Sequence, residues 1–303
     1  MHQTIAPAAV PKLKLSSTSW IDQANTHRTH CNTRLAISQF TTHRWTLKTD
    51  LRQFPQLGVS GIGLWRNKIE EHSEGRVLQL LRNSGVRATS LSFAGGFAGA
   101  NGLTFEEALK DGARCVQFAK RAGCPLVLLA TGDRGEHTRS HAIKSTLLAI
   151  RRLAEFAAER GVRLAIMPMR KHQYRHLSMV STLDHTLDMI RLVNHPAFGM
   201  AFHTYHLGDT PALLDRIPEI ADKVFSVHIS DLAPSAHAYD QRCPGQGILP
   251  LAEIVAAFDK AGYRDAYELN VWSERSWQAD YNTVLADCVR YLHENVMLPT
   301  PAC

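Results

Sequence analysis

Short apolar runs alternate with longer amphipathic stretches along this chain, and that alternation constrains the fold more than any other feature. The β-like runs are LAISQF (35–40), GIGLW (61–65), VRATSLS (86–92), PLVLLAT (125–131), VRLAIMP (162–168), FGMAFHT (198–204), KVFSVHIS (223–230) and AYELNVW (266–272). Between them lie helical stretches such as TFEEALKDGARCVQFAKRAG, where Thr104 and Glu107 predict a capping box, and PLAEIVAAFDKAGY. Repeated strand–helix units predict parallel strands with helical crossovers, and eight of them predict a closed (β/α)₈ barrel. A doubly wound open sheet is the alternative, but no run is followed by GxGxxG or a phosphate loop. The Gly-rich FAGGFAGANG reads as a loop, either a mobile cover over the barrel mouth or an ordinary long connection. A chain of 303 residues, 45% hydrophobic, is large enough for one such barrel. Residues 1–33 read as a flexible or surface-draped arm, 34–295 as the barrel and 296–303 as a tail.

Composition narrows the function classes. The formal charge of +6 is spread over the chain, so a solvated basic exterior is expected and no nucleic-acid partner. No segment has the length and apolarity of a membrane span, and the first residues lack the pattern of a secretory signal. Six cysteines, at 31, 115, 124, 243, 288 and 303, form no CxxC pair. Their scatter predicts reduced thiols in a cytoplasmic protein. No GxSxG elbow is present, and Cys243 has no identifiable base in the sequence.

In a (β/α)₈ barrel the side chains at the C-terminal strand ends share one mouth. That rule groups Trp65, Met167, His203, His228 and Asn270. His206, three residues after His203, joins them. His203 and His228 are candidates for acid/base work because imidazole titrates near neutrality. His206, Arg242 and Asn270 are candidates for binding substrate oxygens, and Trp65 and Trp272 for apolar platforms. The plainer readings stand beside these: neutral hydrogen-bonded histidines, core or rim tryptophans, and an Arg242–Asp240 pair. Asp231 either orients a histidine or braces a loop.

Several segments, in order and spacing, carry a resemblance: GVSGIGLW (58–65), AAERGVRLAI (157–166), HTYHLGDTP (203–211), VHISDLAP (227–234) and RCPGQGILPLAEIVAAFDKAGY (242–263). Over roughly residues 34–295 the chain resembles the xylose-isomerase-like sugar isomerase and epimerase barrels. The resemblance implies a single xylose-isomerase-like (β/α)₈ barrel. It also implies a divalent metal held by Glu, Asp, His and Glu at four strand ends. Here those positions are Met167, His203, His228 and Asn270, so only His228 matches. A thioether and an amide suit neither a hard cation nor proton transfer. No cofactor is therefore expected, with zinc or a similar borderline metal on His203, His206 and His228 as the alternative. Glu268, two residues before Asn270, has the same facing one layer deeper and is expected to be a buried, paired carboxylate or a displaced ligand. The abasic-site endonuclease branch is not expected, because its Asp-x-His is Asp240-Gln241-Arg242 here. Two functions follow: an enzyme on a sugar, keto-sugar or cyclitol working through histidine, or a non-catalytic ligand-binding or partner subunit. Self-association is compatible with either.

Overall fold

Eight parallel strands close a barrel in this computed structural model, which describes residues 34–234 and 240–297. The expected arm over 1–33 and the tail beyond residue 297 lie outside the described residues. The strands are β1 (Leu35–Ser38), β2 (Gly61–Trp65), β3 (Arg87–Gly95), β4 (Leu126–Ala130), β5 (Arg163–Ile166), β6 (Phe198–His203), β7 (Val224–Ile229) and β8 (Tyr267–Leu269). Closure is made by β1, which pairs with β2 through Ala36 opposite Gly61 and with β8 through Leu35 opposite Tyr267. No edge is left in the ring, which excludes the open-sheet alternative.

One main helix follows each strand. These are α1 (Leu47–Gln53), α2 (Glu74–Ser84), α3 (Phe105–Ala122), α4 (Arg139–Ala158), α5 (Leu183–Val193), α6 (Leu213–Ile220), α7 (Leu251–Lys260) and α8 (Tyr281–Tyr291). The capping box forms as expected: Thr104 Oγ1 accepts from Glu107 N, and the Glu107 carboxylate accepts from Thr104 N. The Gly-rich segment begins inside β3, which takes in its first three residues, and continues as a connection in which Phe97 is only 1% exposed.

Strand alternation builds two apolar clusters. Val127 and Leu129 of β4 and Leu164 and Ile166 of β5 face the helices and join the main core. Leu126, Leu128, Ala165, Met167 and Ala201 form a second cluster with Met169. Burying each such Leu stabilises the fold by about 2 kcal/mol. Polar side chains gather elsewhere along the strands: Ser90, Ser226, His228 and Glu268 are all at most 5% exposed. The chain after β1 is tied down by a buried ion pair, Lys68 Nζ to Asp50 Oδ2 at 3.0 Å. Asp50 also accepts from Gln39 and Thr42, and burial pushes its carboxyl up to about 6 despite Lys68.

Candidate functional site

Register brings the histidines together. His203 stands opposite His228 in the β6–β7 pairing, and His228 stands opposite Glu268 in the β7–β8 pairing. The imidazoles of His203 and His228 consequently stack, with centroids 5.8 Å apart and planes 13° from parallel. After β6 the chain turns into a short helix, Thr204–Leu207, which sets the His206 ring 4.7 Å from His203. All three are buried, at 0 to 7% exposure.

Main-chain donors decide the chemistry of two of them. Tyr205 N donates to His203 Nδ1 at 3.3 Å, and Arg170 N donates to His206 Nδ1 at 3.3 Å. A backbone N–H can only donate, so each Nδ1 is an acceptor and the ring proton of the neutral form sits on Nε2. Burial holds His203 well below the usual imidazole range, aided by His206, His228 and Arg170. Burial likewise pushes His206 down to about 3, with Arg170 and His228 adding to it. Both are neutral Nε2–H imidazoles at pH 7. Burial also lowers His228, against an opposing pull from Glu268.

His228 is engaged at both nitrogens. Ser226 Oγ lies 3.1 Å from Nε2, and Asn270 Nδ2 lies 3.1 Å from Nδ1. Glu268 Oε1 lies 3.5 Å from the same Nδ1. Glu268 is indeed a buried, paired carboxylate, accepting from Ser90 Oγ at 2.9 Å and Thr89 Oγ1 at 3.0 Å. Its reach across the barrel requires Gly63, where a Cβ would stand 2.0 Å from Oε1. Met167, at the first strand-end position, is 2% exposed among Leu126, Leu128, Ala165 and Ala201. The four family positions therefore present an apolar thioether, an imidazole with Nδ1 taken, an imidazole with both nitrogens taken and an amide. That donor set does not fit the hard divalent cation implied by the family resemblance.

The other half of the mouth is aromatic. Trp65 and Trp272 are brought together, with centroids 6.4 Å apart, and both pack on Phe40 at 5.0 and 5.1 Å. Trp65 is placed by Gln39, whose Oε1 accepts from Trp65 N at 2.9 Å and whose amide is held by Asp50. Trp272 lines a cavity of about 740 Å³ with Tyr174, Asp240 and Arg275. Tyr174 stands edge-on to His206 at 5.0 Å, and its hydroxyl bonds the Gln241 side chain. Gln241 Oε1 in turn accepts from Trp272 N.

Arg242 lies on a two-stranded ribbon, Asp231–Leu232 with Gln241–Arg242, and lines a different cavity of about 200 Å³ with Cys243, Ser276 and Asp287. Asp240 accepts from Ser273 Oγ and Glu274 N. Asp231 braces the loop, accepting from the backbone N–H of Leu232, Gly245, Gly247 and Leu249. Sequence reasoning missed Ser226, Tyr174 and Gln241. Period-two facing from His228 was a signal for Ser226; nothing local marks the other two.

A closed eight-stranded parallel barrel with one main helix after each strand defines a (β/α)₈ barrel, here with polar side chains gathered along its strands. The family profile described as xylose isomerase-like TIM barrel matches residues 51–292, and the chain belongs to that family. A 3-dehydroshikimate dehydratase of Pseudomonas putida is 26% identical over 267 residues, covering 84% of this chain and 41% of that protein. Its Pseudomonas aeruginosa namesake is 26% identical over 243 residues, 76% of this chain and 36% of that protein. The chain thus spans about two fifths of the length of these curated relatives. A solved Sinorhizobium meliloti protein shares the fold at a TM-score of 0.79 and 24% identity, over 86% of this chain and 97% of that one. Among the described residues no helix is long and apolar enough to cross a membrane.

Proposed function

We propose that this chain is an enzyme acting on a small polyhydroxy carbonyl compound, of the class to which 3-dehydroshikimate belongs. Neutral imidazole N–H donors take the role that a divalent cation plays in the family. The observation that carries this reading is the pair of main-chain donors on Nδ1 of His203 and His206. With both rings neutral and protonated at Nε2, each offers a donor to an oxygen in the mouth. Removing a proton beside a carbonyl, to a base other than these donor imidazoles, builds negative charge on its oxygen. Preorganised donors in a buried site stabilise that charge, and a neutral imidazole with a lowered pKa is a known electrophile for this step. Loss of a hydroxyl from the next carbon as water completes a dehydration, and return of the proton to the neighbouring carbon completes an isomerisation. The names of the curated relatives support the substrate class.

The same tautomers argue against zinc on His203, His206 and His228. Ligation through Nε2 requires the ring proton on Nδ1, where it would face a backbone N–H. A second reading, ligand binding without turnover, is favoured by another consequence of this geometry. With Nδ1 of His203 and His206 taken and both nitrogens of His228 engaged, none of the three offers a lone pair for proton abstraction.

The test is a thermal-shift screen of chelator-treated protein over 3-dehydroshikimate, keto-sugars and cyclitols, followed by NMR progress curves on every compound that binds. The enzyme reading expects turnover that survives the chelator and falls roughly 100- to 1,000-fold in His206→Ala, the usual effect of deleting one such donor. Tight binding without conversion leaves the second reading. Turnover that requires added Mn²⁺ or Zn²⁺ would reject both.

A further inference from the structure

The loop that follows β7 is pressed against α8. Gly245 adopts φ +82, and a Cβ there would stand 2.3 Å from the Tyr291 ring. Cys288 lies one turn before Tyr291 on the same helix face, and Cys243 lies two residues before Gly245. The loop is held in this position by Asp231, which accepts from Gly245 N at 3.1 Å and Gly247 N at 3.0 Å. Cys243 and Cys288 consequently line one cavity of about 390 Å³, together with Gln246, Asp287 and Asn295. Cys243 is 7% exposed and Cys288 2%. Two thiols 45 positions apart thus share a solvent-reachable wall that no sequence spacing advertises.

We propose that Cys243 and Cys288 are a disulfide-forming pair, oxidised by peroxide. Across that shared cavity the Cys288 thiol pulls Cys243 down to about 7, and Cys243 together with burial pushes Cys288 well up. Ser276 Oγ, 3.8 Å from Cys243 Sγ, adds a second polar neighbour to the thiolate. The buried thiols elsewhere behave oppositely: burial pushes Cys115 and Cys124 up to about 12, and Cys124 donates to Leu126 O. Low-pKa thiolates attack peroxides and high-pKa buried thiols do not. In the first step the Cys243 thiolate attacks one peroxide oxygen. The O–O bond breaks, hydroxide leaves and takes a proton to become water, and Cys243 becomes a sulfenic acid. In the second step the Cys288 sulfur attacks the sulfenic sulfur. The S–O bond breaks and the departing hydroxide takes the Cys288 proton as a second water. Two thiols are oxidised to one disulfide and one peroxide is reduced to two waters. The cross-link joins the ribbon carrying Gln241 and Arg242 to α8.

The experiment treats the native full-length chain with a small excess of hydrogen peroxide, blocks remaining thiols by alkylation, and maps peptides by mass spectrometry. The expected product is a Cys243–Cys288 linked peptide, with Cys115 and Cys124 alkylated only after unfolding. In Cys288→Ser, a dimedone-trapped sulfenic acid at Cys243 is expected in its place. Should that variant fail to fold, the map of the native chain decides alone. Linkage of Cys243 to Cys31, Cys303 or another chain overturns the proposal. So does sulfinic acid at Cys243 with Cys288 still a thiol, or a peroxide-treated chain in which both thiols remain unchanged.

Discussion

At the scale of single residues, main-chain geometry settles what the histidines are. Imidazole is ambiguous wherever its partners are side chains, as at His228, because the Ser226 hydroxyl can donate or accept and the Asn270 amide can turn either its nitrogen or its oxygen to the ring. The backbone donors on His203 and His206 leave no such choice. Nitrogen-15 NMR at pH 7 is therefore expected to show both rings as neutral Nε2–H tautomers. The His206 signals should stay unchanged down to about pH 5, because burial pushes that ring down to about 3. A ring found charged at pH 6, or protonated at Nδ1, would remove the basis of the proposed electrophile. Met167 and Asn270 could be read from the sequence as departures from the ligand pattern that the resemblance implies. Their new company could not: Met167 closes an apolar cluster, and Asn270 holds a histidine.

At the scale of elements, apolar runs place every strand but overstate some ends. The run VRLAIMP extends to residue 168, whereas β5 ends at Ile166. Met167 and Met169 are buried by packing, and Pro168 has no N–H for a ladder. AYELNVW likewise outlasts β8, because Trp272 N turns away to Gln241 Oε1 at 2.8 Å. Apolarity records burial, and burial continues where the ladder stops. The loop after β7 is organised by one carboxylate, Asp231, which serves four backbone donors. Asp231→Ala strands these donors, and unfolding in urea is expected to show a loss of roughly 3 kcal/mol. Hydrogen exchange should rise at Leu232, Gly245, Gly247 and Leu249 while the α3 amides stay protected. A variant as stable as the parent would show that water replaces the carboxylate without cost.

At the scale of the whole molecule, the buried histidines set the acid limit. His203, His206 and His228 all titrate lower in the fold than the ordinary value of 6.5. Below pH 6.5 the unfolded chain therefore binds more protons than the native one, so stability is full above that pH and is lost as pH falls. Each histidine contributes a slope of about 1.4 kcal/mol per pH unit within its window, which for His206 extends to about pH 3. Asp50, raised from 3.8 to about 6, acts the other way between those values and subtracts from the slope without reversing it. Urea midpoints measured from pH 7 to 5 should fall steeply, and His206→Gln should flatten the fall. A flat profile in the parent would mean that these rings are hydrated or charged in the native state.

The sequence by itself determined the barrel. Period-two apolar runs and amphipathic helices can bury their faces together in few ways, and eight strand–helix units close a ring. It also placed Met167, His203, His228 and Asn270 at the four positions where the family resemblance implies metal ligands, because side-chain identities are local facts. Only the tertiary structure decided which nitrogen of His203 and His206 carries the proton, that Glu268 is clamped by Ser90 and Thr89, and that Cys243 and Cys288 line one cavity. Each of these depends on atoms from distant strands and loops. Hydrogen-bond direction, desolvation and thiol pairing are set by such neighbours, and barrel closure is what supplies them.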